Sequence, residues 1–300
     1  MGIIKFTEKA NACFYQTAEL EKIAGGYYFT EGPVWDSSEK CLYFTNFQDN
    51  TIYRFKEREG TSLYRKESGR AVGLSLAADG RIVSAETSSH AVTFAGETKS
   101  EVIAGTYQGK ILNSPNDVVV KKDGAVYFTD PYSVAMGGER ELDFNGVFCV
   151  PVTDGKPDGS RICLIDDRME RPNGIAFSPD EKILYVNDTN KQYIRAYQMR
   201  SAEEASLIGT FAELDEAYGA GCADGMKVDE EGNVYLTGPG GIWVIDSSGT
   251  PAAILECPEN AGNLCFGGED NCFLYITAST SVYRIPVSYT HLRAHETLRH

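Results

Sequence analysis

The sequence predicts an all-β fold, a single six-bladed β-propeller with four-stranded blades around a central tunnel. Three observations support this prediction: a repeated plan, its period and its turns. Six segments share the plan, in which a small or polar pair precedes an apolar strand, a turn and a second strand with aromatic residues. The segments begin at positions 31, 72, 116, 173, 224 and 262, so their starts lie 41, 44, 57, 51 and 38 residues apart. A period of about 40 to 50 residues is typical of a four-stranded propeller blade.

Turn residues follow the first strand of the repeat at matching offsets. These turns occupy positions 37–38, 78–80, 122–124, 179–181 and 230–232. Three of them end in glycine, as hairpin turns commonly do. Helical periodicity is scarce and predicts only short helical turns at 202–207 and 211–217. A β-sandwich, the competing fold, would give evenly spaced strands without this self-similarity, so the propeller is favoured.

The two ends of the chain need separate treatment. We expect part of residues 12–24 to add an outer strand to the last blade, since such closure removes an exposed sheet edge. Residues 1–286 are predicted to form the single propeller domain. Residues 287–300, VSYTHLRAHETLRH, resemble a translated sequencing adapter, so we exclude them as a non-native tail and expect the native C terminus to be missing. His90 is then the only histidine, which disfavours histidine-based catalysis.

Composition limits the classes of partner. The chain has 300 residues, 42% of them hydrophobic, a mean hydropathy of −0.29 and a net charge of −15. This charge argues against nucleic acid and anionic membrane surfaces, and no segment is apolar enough to span a bilayer. The eight cysteines show no CxxC spacing, which indicates reduced thiols rather than a zinc site. Without an evident signal peptide, we expect a cytoplasmic protein, monomeric or weakly dimeric, that acts on a small molecule.

One position in each repeat, directly before the first strand, is expected to face the propeller axis. We call these six the ring positions: Glu31, Val72, Asn116, Asn173, Asp224 and Gly262. Four of them carry oxygen donors, which hard cations such as Ca²⁺ prefer. Each such residue alone could equally be ordinary turn chemistry. Glu31 lies in an EGP sequence where no turn requires a carboxylate, so the set favours a divalent metal site in the tunnel.

Four motifs resemble those of the gluconolactonase/regucalcin-like family of six-bladed propellers. They are EGPVW at 31–35, LNSPNDVVVKKDG at 112–124 with YFTDP at 127–131, PNGIAFSPD at 172–180 with YVNDT at 185–189, and ADGMKVDEEGNVY at 223–235. The resemblance covers residues 17–285 and implies a divalent metal in the tunnel and hydrolysis of sugar or other lactones. It carries the metal ligands over to Glu31, Asn173 and Asp224, and it makes Asn116 a ligand of metal or substrate.

Two departures from the family pattern leave the substrate open. Many relatives have a substrate-binding arginine where this chain has Ser114, two residues before Asn116. Relatives often have asparagine where this chain has Val72. Further candidate substrate-binding residues are Asp130, Tyr132 and Asp188, although the two aspartates could instead cap turns.

The expected function is therefore metal-dependent hydrolysis of a lactone. Asp224 is the candidate general base, although metal ligation would lower its basicity, and Asn116 would orient the substrate. Ca²⁺ is the expected ion, and Zn²⁺, Mn²⁺ or Mg²⁺ are compatible with the same donors. Two alternatives stay open: a metal-dependent phosphotriesterase, and a non-catalytic calcium-binding propeller. A serine hydrolase is disfavoured because the chain has no GxSxG motif.

Overall fold

Six antiparallel sheets succeed one another along the chain and form the blades of a six-bladed propeller. The computed structural model describes residues 2–14, 18–133 and 140–287. The first strands of neighbouring blades contact one another in a closed ring, so these strands surround the axis. The fold class predicted from the repeats is confirmed.

Each blade consists of four strands, which follow one another from the axis outward. Blades 1 and 2 are formed by Thr30–Asp36, Cys41–Asn46, Thr51–Lys56 and Gly60–Lys66, and by Ala71–Leu76, Ile82–Glu86, Ala91–Ala95 and Ser100–Ala104. Blades 3 and 4 are formed by Val118–Val120, Val126–Asp130, Gly146–Val150 and Cys163–Asp166, and by Pro172–Phe177, Ile183–Asp188, Tyr193–Met199 and Ala205–Glu213. Blades 5 and 6 are formed by Met226–Val228, Val234–Gly238, Gly241–Ile245 and Pro251–Glu256, and by Ala261–Gly267, Phe273–Ala278, Ser281–Pro286 and Glu21–Gly25.

Short elements decorate the blades. They are two strand pairs, Thr106–Tyr107 with Lys110–Ile111 and Val152–Thr153 with Lys156–Pro157, the α-helix Ala10–Cys13, and the 3₁₀ helices Gly159–Arg161, Glu216–Tyr218 and Glu269–Asn271. Within the described ranges, no helix has the length and apolar character to cross a membrane.

The propeller closes through the N-terminal part of the chain. Glu21–Gly25 pairs antiparallel with Ser281–Pro286 and becomes the outermost strand of blade 6. The predicted segment, 12–24, overlaps this strand at its C-terminal end. A strand that was not predicted, Ile3–Lys5, adds a fifth strand to blade 5. Val287 is buried and bridges to Phe14, whereas residues 288–300 of the suspected tail lie outside the described residues.

The helical turns predicted at 202–207 and 211–217 were wrong for most of their length. Ala205–Glu213 is a strand that pairs with Tyr193–Met199 across its whole length, and only Glu216–Tyr218 forms a turn of 3₁₀ helix. Alanine and glutamate favour a helix in isolation, but the sheet pairing outweighs that weak local preference.

The hydrophobic core lies between neighbouring sheets. Val83 and Val92 of blade 2, for example, pack in one cluster with Val126, Phe128 and Phe148 of blade 3. The middle strands are therefore covered on both faces, which explains why they are almost continuously apolar.

Irregular pairing marks the start of the innermost strands. In blades 1, 2, 4 and 6 the register shifts there, between Glu31 and Val34 in blade 1 for example. In blades 3 and 5 regular pairing begins only at Val118 and Met226, two residues after the ring position. Such bulges turn side chains out of the regular pleat, and they coincide with the ring positions.

Candidate active site in the central tunnel

Hydrogen bonds between blades fix the backbone of the ring positions. The carbonyl oxygens of Val72, Asn173 and Gly262 each accept a bond from a threonine hydroxyl on the preceding blade, at 3.1, 2.7 and 3.1 Å. Asn187 donates its amide in the same way to the Asp224 carbonyl. The Gly73 N–H group donates to the Asn116 carbonyl at 2.7 Å. Hydrogen bonds between neighbouring blades thus hold the backbone of the ring in place without a ligand.

Glycine follows the ring position in four blades, at Gly32, Gly73, Gly174 and Gly225. A Cβ atom at Gly32 would lie 1.9 Å from the Val72 carbonyl oxygen, and one at Gly174 would lie 2.1 Å from that of Asp224. No side chain fits at such distances. The glycines therefore allow the innermost strands to approach closely enough for the ring side chains to meet.

A cavity of about 230 Å³ opens above the ring. The ring residues Glu31, Val72, Asn116, Asn173 and Asp224 all line it. The sixth ring position, Gly262, has no side chain. A Cβ atom there would lie 2.4 Å from the Glu31 carboxylate, which is too close for any other residue. The remaining lining residues are Phe29, Phe47, Thr87, Ser114, Pro131, Tyr132, Ser133 and Arg171.

Two buried carboxylates, Glu31 and Asp224, lie in this ring and interact electrostatically. Burial raises the pKa of Glu31, and the charge of Asp117 adds to the shift. Burial also raises the pKa of Asp224, and Glu31 and Asp117 raise it further, while the Asn173 side chain and the charge of Arg171 oppose the shift. Within the described ranges, neither ring carboxylate forms an ion pair with lysine or arginine. Burial thus disfavours the ionised forms of both carboxylates, and a bound divalent cation would stabilise those ionised forms.

The donor set fits a hard divalent cation. The Oδ1 atom of Asn116 is buried and, among the described residues, has no hydrogen-bond partner. Asn173 donates its amide nitrogen to the Thr189 hydroxyl at 3.0 Å, which leaves its amide oxygen as the atom available to a cation. Two carboxylates and two amide oxygens supply neutralising charge and the oxygen ligands that Ca²⁺ prefers. Among the described residues, no three His, Cys, Asp or Glu side chains cluster as metal ligands, and half of this donor set is amide.

The LNSPND segment is held by groups from two blades. Asp130 accepts the N–H groups of Asn113 and Ser114 at 2.8 and 2.7 Å. Thr87 of blade 2 donates to the Pro115 carbonyl at 3.0 Å, and His90 contacts the Asn113 carbonyl. These bonds fix the backbone on both sides of Ser114, which lines the cavity.

The predicted substrate-binding residues divide into two groups. Ser114, Asn116 and Tyr132 line the cavity. Asp130 and Asp188 do not line it: both are fully buried and accept backbone N–H groups. Asp188 holds the segment before Asn173 as Asp130 holds the segment before Asn116. The turn-capping alternative describes the geometry of both aspartates.

Sequence reasoning missed two residues that occupy a repeated position of the cavity wall. Phe29, Ser114 and Arg171 each lie two residues before a ring position and line the cavity, and we call them the wall positions. Asn46 accepts the Phe29 N–H group at 3.1 Å, as Asp130 and Asp188 do for the other two. Counting two residues back from every ring position, as was done for Asn116, would have identified Phe29 and Arg171.

The fold and the site define the class of protein: a closed six-bladed propeller with a ring of buried oxygen donors in its central tunnel. Residues 29–280 match the family model described as the SMP-30/Gluconolactonase/LRE-like region, and the chain belongs to this family.

Individual relatives agree with this assignment. The chain is 33% identical to a gluconolactonase from Zymomonas mobilis, over 94% of this chain and 85% of that protein. It is 26% identical to the pentonolactonase XacC from Haloferax volcanii, over 83% of this chain and 81% of that protein. Among solved structures, a gluconolactonase from Xanthomonas campestris superposes with a TM-score of 0.85 and 28% identity, over 96% of this chain and 95% of that chain.

Proposed function

We propose that this protein is a metal-dependent lactonase that opens the ring of a sugar lactone. The observation that carries the proposal is the buried ring itself, in which two carboxylates without an ion-pair partner and an amide oxygen without a hydrogen-bond partner, among the described residues, line one cavity. Similarity to the Zymomonas mobilis gluconolactonase and the Haloferax volcanii pentonolactonase supports the lactone as the substrate class.

Glu31, Asn116, Asn173 and Asp224 would hold the divalent cation, with Ca²⁺ the expected ion. When bound, such a cation supplies Lewis acidity toward the lactone carbonyl oxygen and stabilises negative charge that develops there. Zn²⁺, Mn²⁺ and Mg²⁺ accept the same oxygen donors, so the choice of ion is a matter for measurement.

The side chains of the ring provide binding and proton transfer. Asp224 takes a proton from a water molecule as the water oxygen bonds to the carbonyl carbon. The ring C–O bond then breaks, and the proton passes from Asp224 to the departing ring oxygen, which yields a hydroxy acid. The Asn116 amide lies in the cavity wall, where it orients the lactone. Burial raises the pKa of Asp224 in the metal-free site, and a bound cation would lower that pKa again.

The cavity is suited to a small substrate. Its volume of about 230 Å³ is below the roughly 300–1,000 Å³ of sites for drug-sized ligands. Aromatic rings of Phe29, Phe47 and Tyr132 form part of its lining beside the polar ring. A single-ring lactone matches this combination of size, apolar wall and polar floor.

A pH-stat assay tests the proposal directly. The full-length protein is assayed on lactones and phosphotriesters after EDTA treatment, with and without added Ca²⁺, Mn²⁺, Zn²⁺ or Mg²⁺. We expect lactone hydrolysis that EDTA abolishes and one of these ions restores. Turnover of phosphotriesters alone would favour a phosphotriesterase, and metal binding without turnover of any ester would favour a binding protein.

Substitution of Asp224 tests its role in proton transfer. Asp224→Asn keeps an oxygen donor but removes the proton acceptor, so we expect kcat to fall about 10²- to 10⁴-fold. Asp123→Asn, in the exposed hairpin turn of blade 3, is the matched control and should keep wild-type kcat. Metal content is measured on both variants, and full kcat in metal-loaded Asp224→Asn would rule out this mechanism.

A further inference from the structure

Arg171 is the only basic residue among the described side chains that line the cavity. It lies two residues before the ring position Asn173, as Ser114 lies two residues before Asn116. Both segments read x-Pro-Asn, so the repeat places these two wall positions equivalently on neighbouring blades 3 and 4. A guanidinium group and a small hydroxyl therefore face the same cavity from adjacent walls.

The backbone that carries Arg171 is firmly held. Its N–H group donates to Asp188 at 3.3 Å, and its carbonyl accepts the Thr189 N–H group at 3.0 Å. Asp188 is fully buried and also accepts the Glu170 N–H group at 2.7 Å. Pro172 restricts the conformation of the preceding residue. The side chain thus projects from a fixed base at the cavity wall.

The guanidinium group itself is available for a ligand. Within the described ranges, the Arg171 side chain forms no hydrogen bond or ion pair, whereas Arg168, three residues earlier, donates to Asp166 at 3.0 Å. Five N–H donors are therefore available at the cavity mouth. A divalent cation bound by the ring would offset the charges of Glu31 and Asp224, and Arg171 would remain the basic side chain of the described cavity lining.

We propose that Arg171 determines substrate specificity by donating hydrogen bonds to the exocyclic oxygens of the lactone. It thereby selects hydroxylated lactones over unsubstituted ones. This inference rests on the proposed lactonase function and adds the residue that recognises the hydroxyl groups of the sugar lactone. The same guanidinium binds the carboxylate or hydroxyl groups of the ring-opened product, because its planar fork matches oxygen pairs.

Kinetics on two lactones provide the main test. In Arg171→Ala we expect the KM for glucono-1,5-lactone to rise about 10- to 100-fold, and kcat/KM for δ-valerolactone, which has no hydroxyl groups, to change less than about twofold. The KM of Arg171→Lys for gluconolactone should lie between those of the wild type and Arg171→Ala, since lysine keeps the charge but lacks the planar guanidinium. Arg168→Ala removes a neighbouring exposed arginine outside the cavity and should change neither value. An unchanged KM for gluconolactone, or equal losses on both lactones, would overturn the proposal.

A binding measurement separates this inference from the proposed function. Calorimetry with gluconate, in the presence of Ca²⁺, needs no turnover. We expect gluconate to bind at least about tenfold more weakly to Arg171→Ala than to the wild type, while the variant binds Ca²⁺ at least as tightly, because a positive charge that acts on Asp224 is removed. If the wild type hydrolyses no lactone, the proposed function fails and the gluconate affinities still decide the role of Arg171. Equal gluconate affinities, or no gluconate binding to the wild type, would overturn that role.

Discussion

Asn116 lines the cavity and has a buried amide oxygen without a hydrogen-bond partner among the described residues, a feature that Asn113, Asn187 and Asn233 share outside the cavity lining. Nearly all buried polar atoms in folded proteins are paired, because an unpaired one costs about 1–3 kcal/mol. The backbone of Asn116 is fully bonded, since its N–H group donates to Thr129 and its carbonyl accepts from Gly73. Only the side chain is left for a ligand, which makes this residue suited to test for the cation.

Asn116→Ala should separate metal binding from folding. Without metal, we expect the Tm of the variant to equal or slightly exceed that of the wild type, because an unpaired acceptor is removed. The rise in Tm on adding Ca²⁺ should shrink, because each tenfold loss of affinity reduces ligand stabilisation by about 1.4 kcal/mol at saturation. Thermal unfolding with and without Ca²⁺ measures both. Asn190→Ala, in an exposed turn of blade 4, should keep the full Ca²⁺ response; a full response in Asn116→Ala would exclude it as a ligand.

At the scale of an element, Glu259 ties together the inner strands of blade 6. It accepts bonds from the Thr280 N–H and hydroxyl groups at 2.8 and 2.7 Å and from the Tyr283 hydroxyl at 2.7 Å. Partial burial alone would raise the pKa of Glu259, but hydrogen bonds from Ser281, Tyr283 and Thr280 outweigh it and lower the pKa from 4.5 to about 2. The ionised form is therefore the one that stabilises the blade.

This shift predicts a defined loss of stability in acid. Because the folded-state pKa of Glu259 lies below the ordinary value, its contribution is complete above pH 4.5 and disappears as the pH falls toward 2. Glu259→Gln should lower the Tm at pH 7 by on the order of 2–4 °C, and the difference from the wild type should close between pH 4.5 and 2. Thermal unfolding across this range tests it, with the exposed Glu19→Gln as control. A Tm difference that persists at pH 2 would contradict the assignment.

The repeat predicted residues that line the cavity, whereas their roles as metal ligands stay a prediction. Glu31, Asn116, Asn173 and Asp224 share one position in the repeat, so their meeting at the axis follows from blade symmetry alone. The same argument did not reveal the direction of Asp130 and Asp188. Each carboxylate is turned toward N–H groups about 16 to 18 residues away in the chain, and those partners lie in loops without a pattern of their own.

Arg171 and Phe29 escaped prediction for a related reason. Both lie just outside the motifs quoted from the sequence, and although their offset from the ring position is that of Ser114, the residue type differs among the three wall positions. The helical turns predicted at 202–207 and 211–217 illustrate a different failure, in which local preference was weighed without the neighbouring strand. Residues fixed by symmetry were predictable, and residues fixed by loop contacts required the structure.

On the scale of the whole molecule, closure of the propeller depends on a strand remote in sequence. Glu21–Gly25 covers Ser281–Pro286, whose free N–H and carbonyl groups would otherwise form an exposed sheet edge. A ring of blades can hold its tunnel shape only when the last blade is complete. The geometry of the site therefore depends on an element that contributes no side chain to the described cavity lining.

Two truncations test this dependence. Deleting residues 1–20 keeps the closing strand, and deleting residues 1–25 removes it. We expect the longer deletion to lower the Tm well below that of the shorter one and to cause self-association through the exposed edge, measured by thermal unfolding and light scattering. The shorter deletion is the control for loss of the preceding segment. If the protein that lacks residues 1–25 stays monomeric and has the same Tm as the one that lacks residues 1–20, closure does not need this strand.

The offset between wall and ring positions has a consequence for how new activities arise. Phe29, Ser114 and Arg171 lie two residues from the groups that hold the cation, and their backbones are anchored by separate acceptors, Asn46, Asp130 and Asp188. Side chains at these three wall positions can therefore vary while the ring residues and the glycines that follow them stay constant. A lineage, or a directed-evolution library confined to positions 29, 114 and 171, can thus explore new substrates without first sacrificing the chemistry.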